Sequence, residues 1–157
     1  MLDQFPEWFQ IFLLSMIPGF EARYVVPFAM FEFGWDWWKV FPIAVFGNVI
    51  LVPFFLLFFH SIEKFFKRFS RGKVIINWVF SRVRSQAGSK VQKYESLALV
   101  ILVAIPLPPT GAGVGIIVAY LFDLPLVRSF IMILIGVLIS ATITTLIYLA
   151  GWSLFFS

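Results

Sequence analysis

The chain has 157 residues, 61% of them hydrophobic and only 13% charged, with 21 phenylalanines and a mean hydropathy of +0.98. A soluble domain carries about 25% charged residues, so the composition excludes a soluble globule and specifies a multi-pass integral protein of the cell membrane, in one compact unit. The net charge is +4 and there is no cysteine, which removes disulfides, thiol catalysis and thiolate metal sites together.

Asp3 and Glu7 stand where a signal peptide would carry basic residues, so a cleaved leader is not expected. Trp8 to Ile17 and Tyr24 to Gly34 are apolar arms, each too short to cross a bilayer. At about 1.5 Å per residue such a helix reaches roughly 15 to 17 Å, against a hydrocarbon core about 30 Å thick. Between them, Pro18-Gly19-Phe20-Glu21-Ala22-Arg23 turns the chain, with Pro27 soon after. The pattern predicts a re-entrant hairpin with Pro18, Gly19 and Pro27 at its tip. Glu21 and Arg23 then lie near mid-membrane, where a charge costs about 2.5 to 3.5 kcal/mol on insertion scales and requires a partner or water.

The turn rich in tryptophan from Phe33 to Trp38 belongs at the headgroup level. From Lys39 to Phe59 the chain is long enough to span, with a kink expected at Pro53. Asn48, beside Gly47 near the middle of this span, is a candidate to face the hairpin tip. The following segment, His60 to Glu95, is basic: apart from Arg23, Lys39 and Arg128, every lysine and arginine lies between Lys64 and Lys93. The positive-inside rule puts this loop in the cytoplasm. Within it, Lys73 to Arg84 has the spacing of an amphipathic helix lying on the membrane surface, with Trp78 as an anchor. Basic loops beside spans serve topology and contact with membrane lipids, so no nucleic-acid partner is expected. His60 has no acidic or metal-ligating companion at useful spacing.

A second interrupted stretch follows. Leu97 to Ile105 and Gly115 to Leu121 are short arms around Pro106-Leu107-Pro108-Pro109-Thr110-Gly111-Ala112-Gly113. Pro106, Pro108 and Pro109 cannot continue a helix, and this predicts a second re-entrant hairpin. Free backbone amides near Thr110 and Gly111, where a helix begins, form a candidate anion site. Leu126 to Gly151 is the last span, with Gly136, Ser140 and Thr144 on one face, a stripe for helix packing first and for ligand contact by its hydroxyls second.

Hairpin and span therefore occur twice, and the distance from Pro18 to Gly47 matches that from Pro106 to Gly136 to within one residue. A basic loop reached after one crossing gives the two halves opposite orientation. The expected fold is an all-α integral membrane protein: an inverted repeat of two re-entrant hairpins, each followed by a transmembrane helix, joined by a basic cytoplasmic loop with an amphipathic helix. It is one membrane domain over 1–157, with repeat one at 8–60, the loop at 61–95 and repeat two at 96–156. Inverted repeats with broken helices are a transporter pattern. With no histidine pair, acidic dyad or metal-ligand cluster, an enzyme, a metal and a cofactor are not expected. The small-residue surface admits a homodimer.

Pro18 to Arg23 with Pro27, Gly47-Asn48 with Pro53, and Ala104 to Ala112 resemble the family called putative small multidrug export proteins, in order and spacing over nearly the whole chain. Pro109 departs from the glycine expected there. That family looks distantly similar to the DedA and VTT-domain membrane proteins, some of which are implicated in moving polyprenyl phosphate carriers. The resemblance implies a membrane transporter or lipid translocase. On this reading the chain moves an amphiphilic substrate such as an anionic lipid, coupled to protons or ions. Arg23 and the amides near Thr110 and Gly111 take the head, and Glu21 exchanges protons. DedA-type hairpins carry charge in both halves, whereas here only the first does. Export of lipophilic cations with Glu21 as counter-charge is the alternative, and a non-transporting scaffold built on the basic loop is a third.

Overall fold

The computed structural model describes residues 4–17, 19–58, 91–107 and 111–156. Among the described residues there is no strand. The helices are α1 (Glu7–Met16), α2 (Glu21–Glu32), α3 (Trp37–Ile50), α4 (Val91–Ala104), α5 (Ala112–Leu121) and α6 (Leu126–Phe156). The amphipathic helix expected over 73–84, His60 and Trp78, and the tip residues Pro18, Pro108, Pro109 and Thr110 lie outside the described residues.

Among the described residues two helical runs are long and apolar enough to cross a membrane, Trp37–Phe58 and Leu126–Leu154. The first is interrupted at Leu51, after which the helix resumes over 52–58. The interruption follows from Pro53, which has no N–H to donate to the carbonyl of Val49 and whose ring crowds it. The other helices are short. α1 ends at Ile17 in extended backbone, and Gly19 takes φ +98° to reverse the chain. The turn returns α2 to the level at which α1 began: Trp35 Nε1 donates to Glu7 Oε2 at 2.6 Å.

Several boundaries differ from the sequence expectation. α2 starts at Glu21 rather than Tyr24, so both charged residues sit in its first turn, where a carboxylate complements the helix dipole. Pro27 lies inside α2, not at the tip. Its ring only deprives the Arg23 carbonyl of a helical partner, and the helix continues past it. α4 begins at Val91, within the segment assigned to the loop. Gln92, Lys93 and Glu95 are good helix formers, so polarity there did not mark a helix boundary.

α1 packs on α3 and α4 packs on α6, while α2 lies against both α3 and α6 and α5 against α4 and α6. The close approaches are made at glycines. A Cβ at Gly47 would overlap Ser15 Oγ and the Phe12 carbonyl of α1; one at Gly136 would overlap Val103 of α4 and crowd the Val100 carbonyl. The core is built of small and β-branched side chains, among them Ala22, Val25, Ala44, Val103, Ile133 and Ala141. Large apolar side chains such as Phe31, Phe46, Phe54, Leu146 and Ile147 face outward, as a lipid-facing surface requires.

Candidate functional site

The first turn of α2 presents its two charges to the break between α4 and α5. Glu21 is 9% exposed and its carboxylate accepts hydrogen bonds from the backbone N–H groups of Ala112 and Gly113, the first two residues of α5. Arg23 is 4% exposed, and its Nη1 donates to the carbonyls of Ile105 and Leu107, just past the end of α4, at 3.3 Å each. Its Nε lies 3.4 Å from Glu21 Oε2, and its guanidinium stacks 4.9 Å from the Tyr24 ring centre. The carboxylate thus caps the positive start of one short helix and the guanidinium the negative end of the other, each where the dipole favours it. Charge-assisted bonds to backbone offset part of the desolvation cost that an ion pair alone would leave.

Backbone geometry at the site is specialised. Glu21 holds φ +35°, in the left-handed region that side chains other than glycine rarely adopt. Gly111, the N-cap of α5, takes φ +130° and ψ −167°. That conformation is essentially open to glycine alone, and a Cβ there would overlap the Glu21 carboxylate.

Two small crevices flank Glu21. One, of about 40 Å³, is lined by Ser15, Asn48, Ala112 and Gly113 together with Glu21. The other, of about 10 Å³, is lined by Glu21, Arg23, Asn48, Val103, Val137 and Ser140. Asn48 borders both. Its Oδ1 and the hydroxyl of Ser140 are buried without a hydrogen-bond partner among the described residues.

Of the residues singled out from sequence, Glu21, Arg23, Asn48 and Gly111 meet here. Gly19 lies in the exposed turn, Pro106 separates the two carbonyls that Arg23 holds, and Thr110 lies outside the described residues. The anion site was expected at the amides near Thr110 and Gly111; the chain's own carboxylate takes the amides that follow, those of Ala112 and Gly113. Ser140, for which the sequence favours packing over ligand contact, joins Glu21, Arg23 and Asn48; its place on the small-residue face of Gly136 is the available signal. The two carbonyls carry no sequence signal beyond the proline between them. Among the described residues no cluster of three or more His, Asp or Glu could hold a metal ion.

A family model described as "Putative small multi-drug export protein" matches residues 21–143, a stretch that begins at Glu21 and includes every residue of the two crevices except Ser15, Met16 and Ile17. No curated protein and no solved structure matches the chain.

Proposed function

The chain belongs to the putative small multi-drug export protein family, and from that premise we propose that it is a secondary transporter of the cell membrane, gated by protonation of Glu21. One observation carries the proposal: a charged pair from the first half holds opposite ends of the broken helix pair in the second. We read α1–α2 and α4–α5 as re-entrant hairpins of an inverted repeat. The level ends of α1 and α2, tied by Trp35 and Glu7, support this, as does the use of Gly47 and Gly136 at matching places in the two long helices.

With Glu21 ionised the two halves are latched. The carboxylate holds the α5 amides, and the guanidinium holds the carbonyls beyond α4. Protonation removes the charge that both the amides and Arg23 attract, so the latch opens and these donors become available to an anionic head. An apolar groove of about 680 Å³, lined by Phe41, Val45, Val49, Pro53, Phe130 and Leu134 among others, runs between α3 and α6 and suits a hydrocarbon tail. The substrate class is then an anionic amphiphile, with a polyprenyl phosphate as its type. The family description favours a second reading, a lipophilic cation paired with Glu21 itself.

Purified protein in liposomes under a pH gradient, given a fluorescent polyprenyl phosphate and, separately, a lipophilic cation, tests both. Phosphate flux that falls to background in Glu21→Gln is the expected result. Cation flux alone, lost in the same variant, transfers the proposal to the second reading. Full flux in Glu21→Gln, or no flux of either probe in the wild type, overturns proton-gated transport and directs attention to a scaffold role for the basic loop.

A further inference from the structure

The serines and threonines of α6 separate into two kinds. Ser129, Thr142, Thr144, Thr145 and Ser153 each donate to a carbonyl three to five residues back. That is the common fate of a helical hydroxyl. Ser140, a residue 3% exposed, has a buried hydroxyl with no hydrogen-bond partner among the described residues, and it lines the crevice of about 10 Å³ with Glu21, Arg23 and Asn48. Asn48, 6% exposed, lines the same crevice, and its Oδ1 has no hydrogen-bond partner among the described residues. Three elements, α2, α3 and α6, therefore line one crevice with a carboxylate, an amide and a hydroxyl.

We propose that Asn48 and Ser140 hold a single water against Glu21, and that this water is the last carrier of the proton that reaches the carboxylate. The inference rests on the gating role given to Glu21 above. A buried water needs about 10 to 15 Å³ and two to four polar partners, and the crevice supplies both. Its two O–H groups satisfy Asn48 Oδ1 and a Glu21 oxygen, and its lone pairs accept from the Ser140 hydroxyl. A small metal cation meets the same oxygens but faces the Arg23 guanidinium and the positive start of α5, both of which repel it. Among the described residues Arg23 is the one charged group besides Glu21 lining either crevice, so none of them offers a second acid or base to compete for the proton. The step balances simply: an excess proton arriving as hydronium passes to the carboxylate, leaving neutral water and a neutral acid.

The test reads Glu21 itself. In the full-length protein in lipid, the infrared carbonyl band of the protonated carboxyl, identified by its loss in Glu21→Gln, is followed after a pH jump. Asn48→Leu fills the crevice with an apolar group and Ser140→Ala removes one partner at little cost in shape. Both are expected to slow protonation, Asn48→Leu by roughly a hundredfold, the usual worth of a positioned proton-transfer partner, with the helical spectrum unchanged. Wild-type rates in both variants overturn the proposal. So does a rise in unfolding temperature with sodium that Asn48→Leu abolishes, because that outcome makes the crevice a cation site. If Glu21→Gln transports normally while Asn48→Leu slows protonation, the gating proposal fails and the water site stands.

Discussion

Arg23→Met is expected to be among the most damaging single substitutions in the chain, costing about 3 kcal/mol or more of stability in detergent. Methionine keeps much of the apolar stem of arginine but withdraws the guanidinium from the carbonyls of Ile105 and Leu107 and from Glu21 in one step. A carboxylate is then left buried without its countercharge. Arg23→Lys keeps a charge but cannot span both carbonyls and the carboxylate with a planar fork, so it should recover only part of the loss. Adding Glu21→Gln to Arg23→Met removes the stranded charge, and the double variant should be more stable than Arg23→Met alone. Thermal unfolding of the four proteins in one detergent measures this. Equal stability of Arg23→Met and wild type would show that the pair does not hold the halves together.

Gly111→Ala carries the second large effect. The conformation at Gly111 is disfavoured for alanine by about 1 to 3 kcal/mol from backbone strain alone. In addition, the new methyl would enter the volume of the Glu21 carboxylate. Relief of either conflict moves the carboxylate off the α5 amides. Transport should fall to background, with lowered thermal stability. Gly113, two residues further along, faces open space, and Gly113→Ala should leave both nearly unchanged. Matching behaviour of the two alanine variants would contradict the geometry assigned to Gly111.

The architecture was legible where covalent chemistry dictates it. Proline and glycine at positions 18–19 and 106–113 forecast the two breaks, Pro53 forecast the interruption after α3, and apolar length forecast the two helices long and apolar enough to cross a membrane. Boundaries drawn from polarity failed, because a helix accepts Lys93 or Glu95 as readily as a loop does, and α2 starts at the charged Glu21 rather than at Tyr24. The sequence marked Glu21 and Arg23 as out of place in an apolar stretch, but not what they touch. Their partners are backbone groups about ninety residues away, which have no side-chain signature. Ser140 was hidden for a related reason: a hydroxyl among small residues reads as packing until a neighbouring helix is seen to leave a crevice beside it.

On the function proposed above, protonation of Glu21 releases the first half from the broken ends of the second. The chain has no cysteine, so spin labels introduced at Phe20 and Leu107, both exposed, would be the only ones present. Phe20 adjoins Glu21, and Leu107 supplies a carbonyl that Arg23 holds. The distance between the labels, measured in lipid at neutral and acid pH, is expected to lengthen on acidification in the wild type and to be long at both values in Glu21→Gln. A distance that is the same at both pH values in the wild type, and unchanged in the variant, would contradict the account.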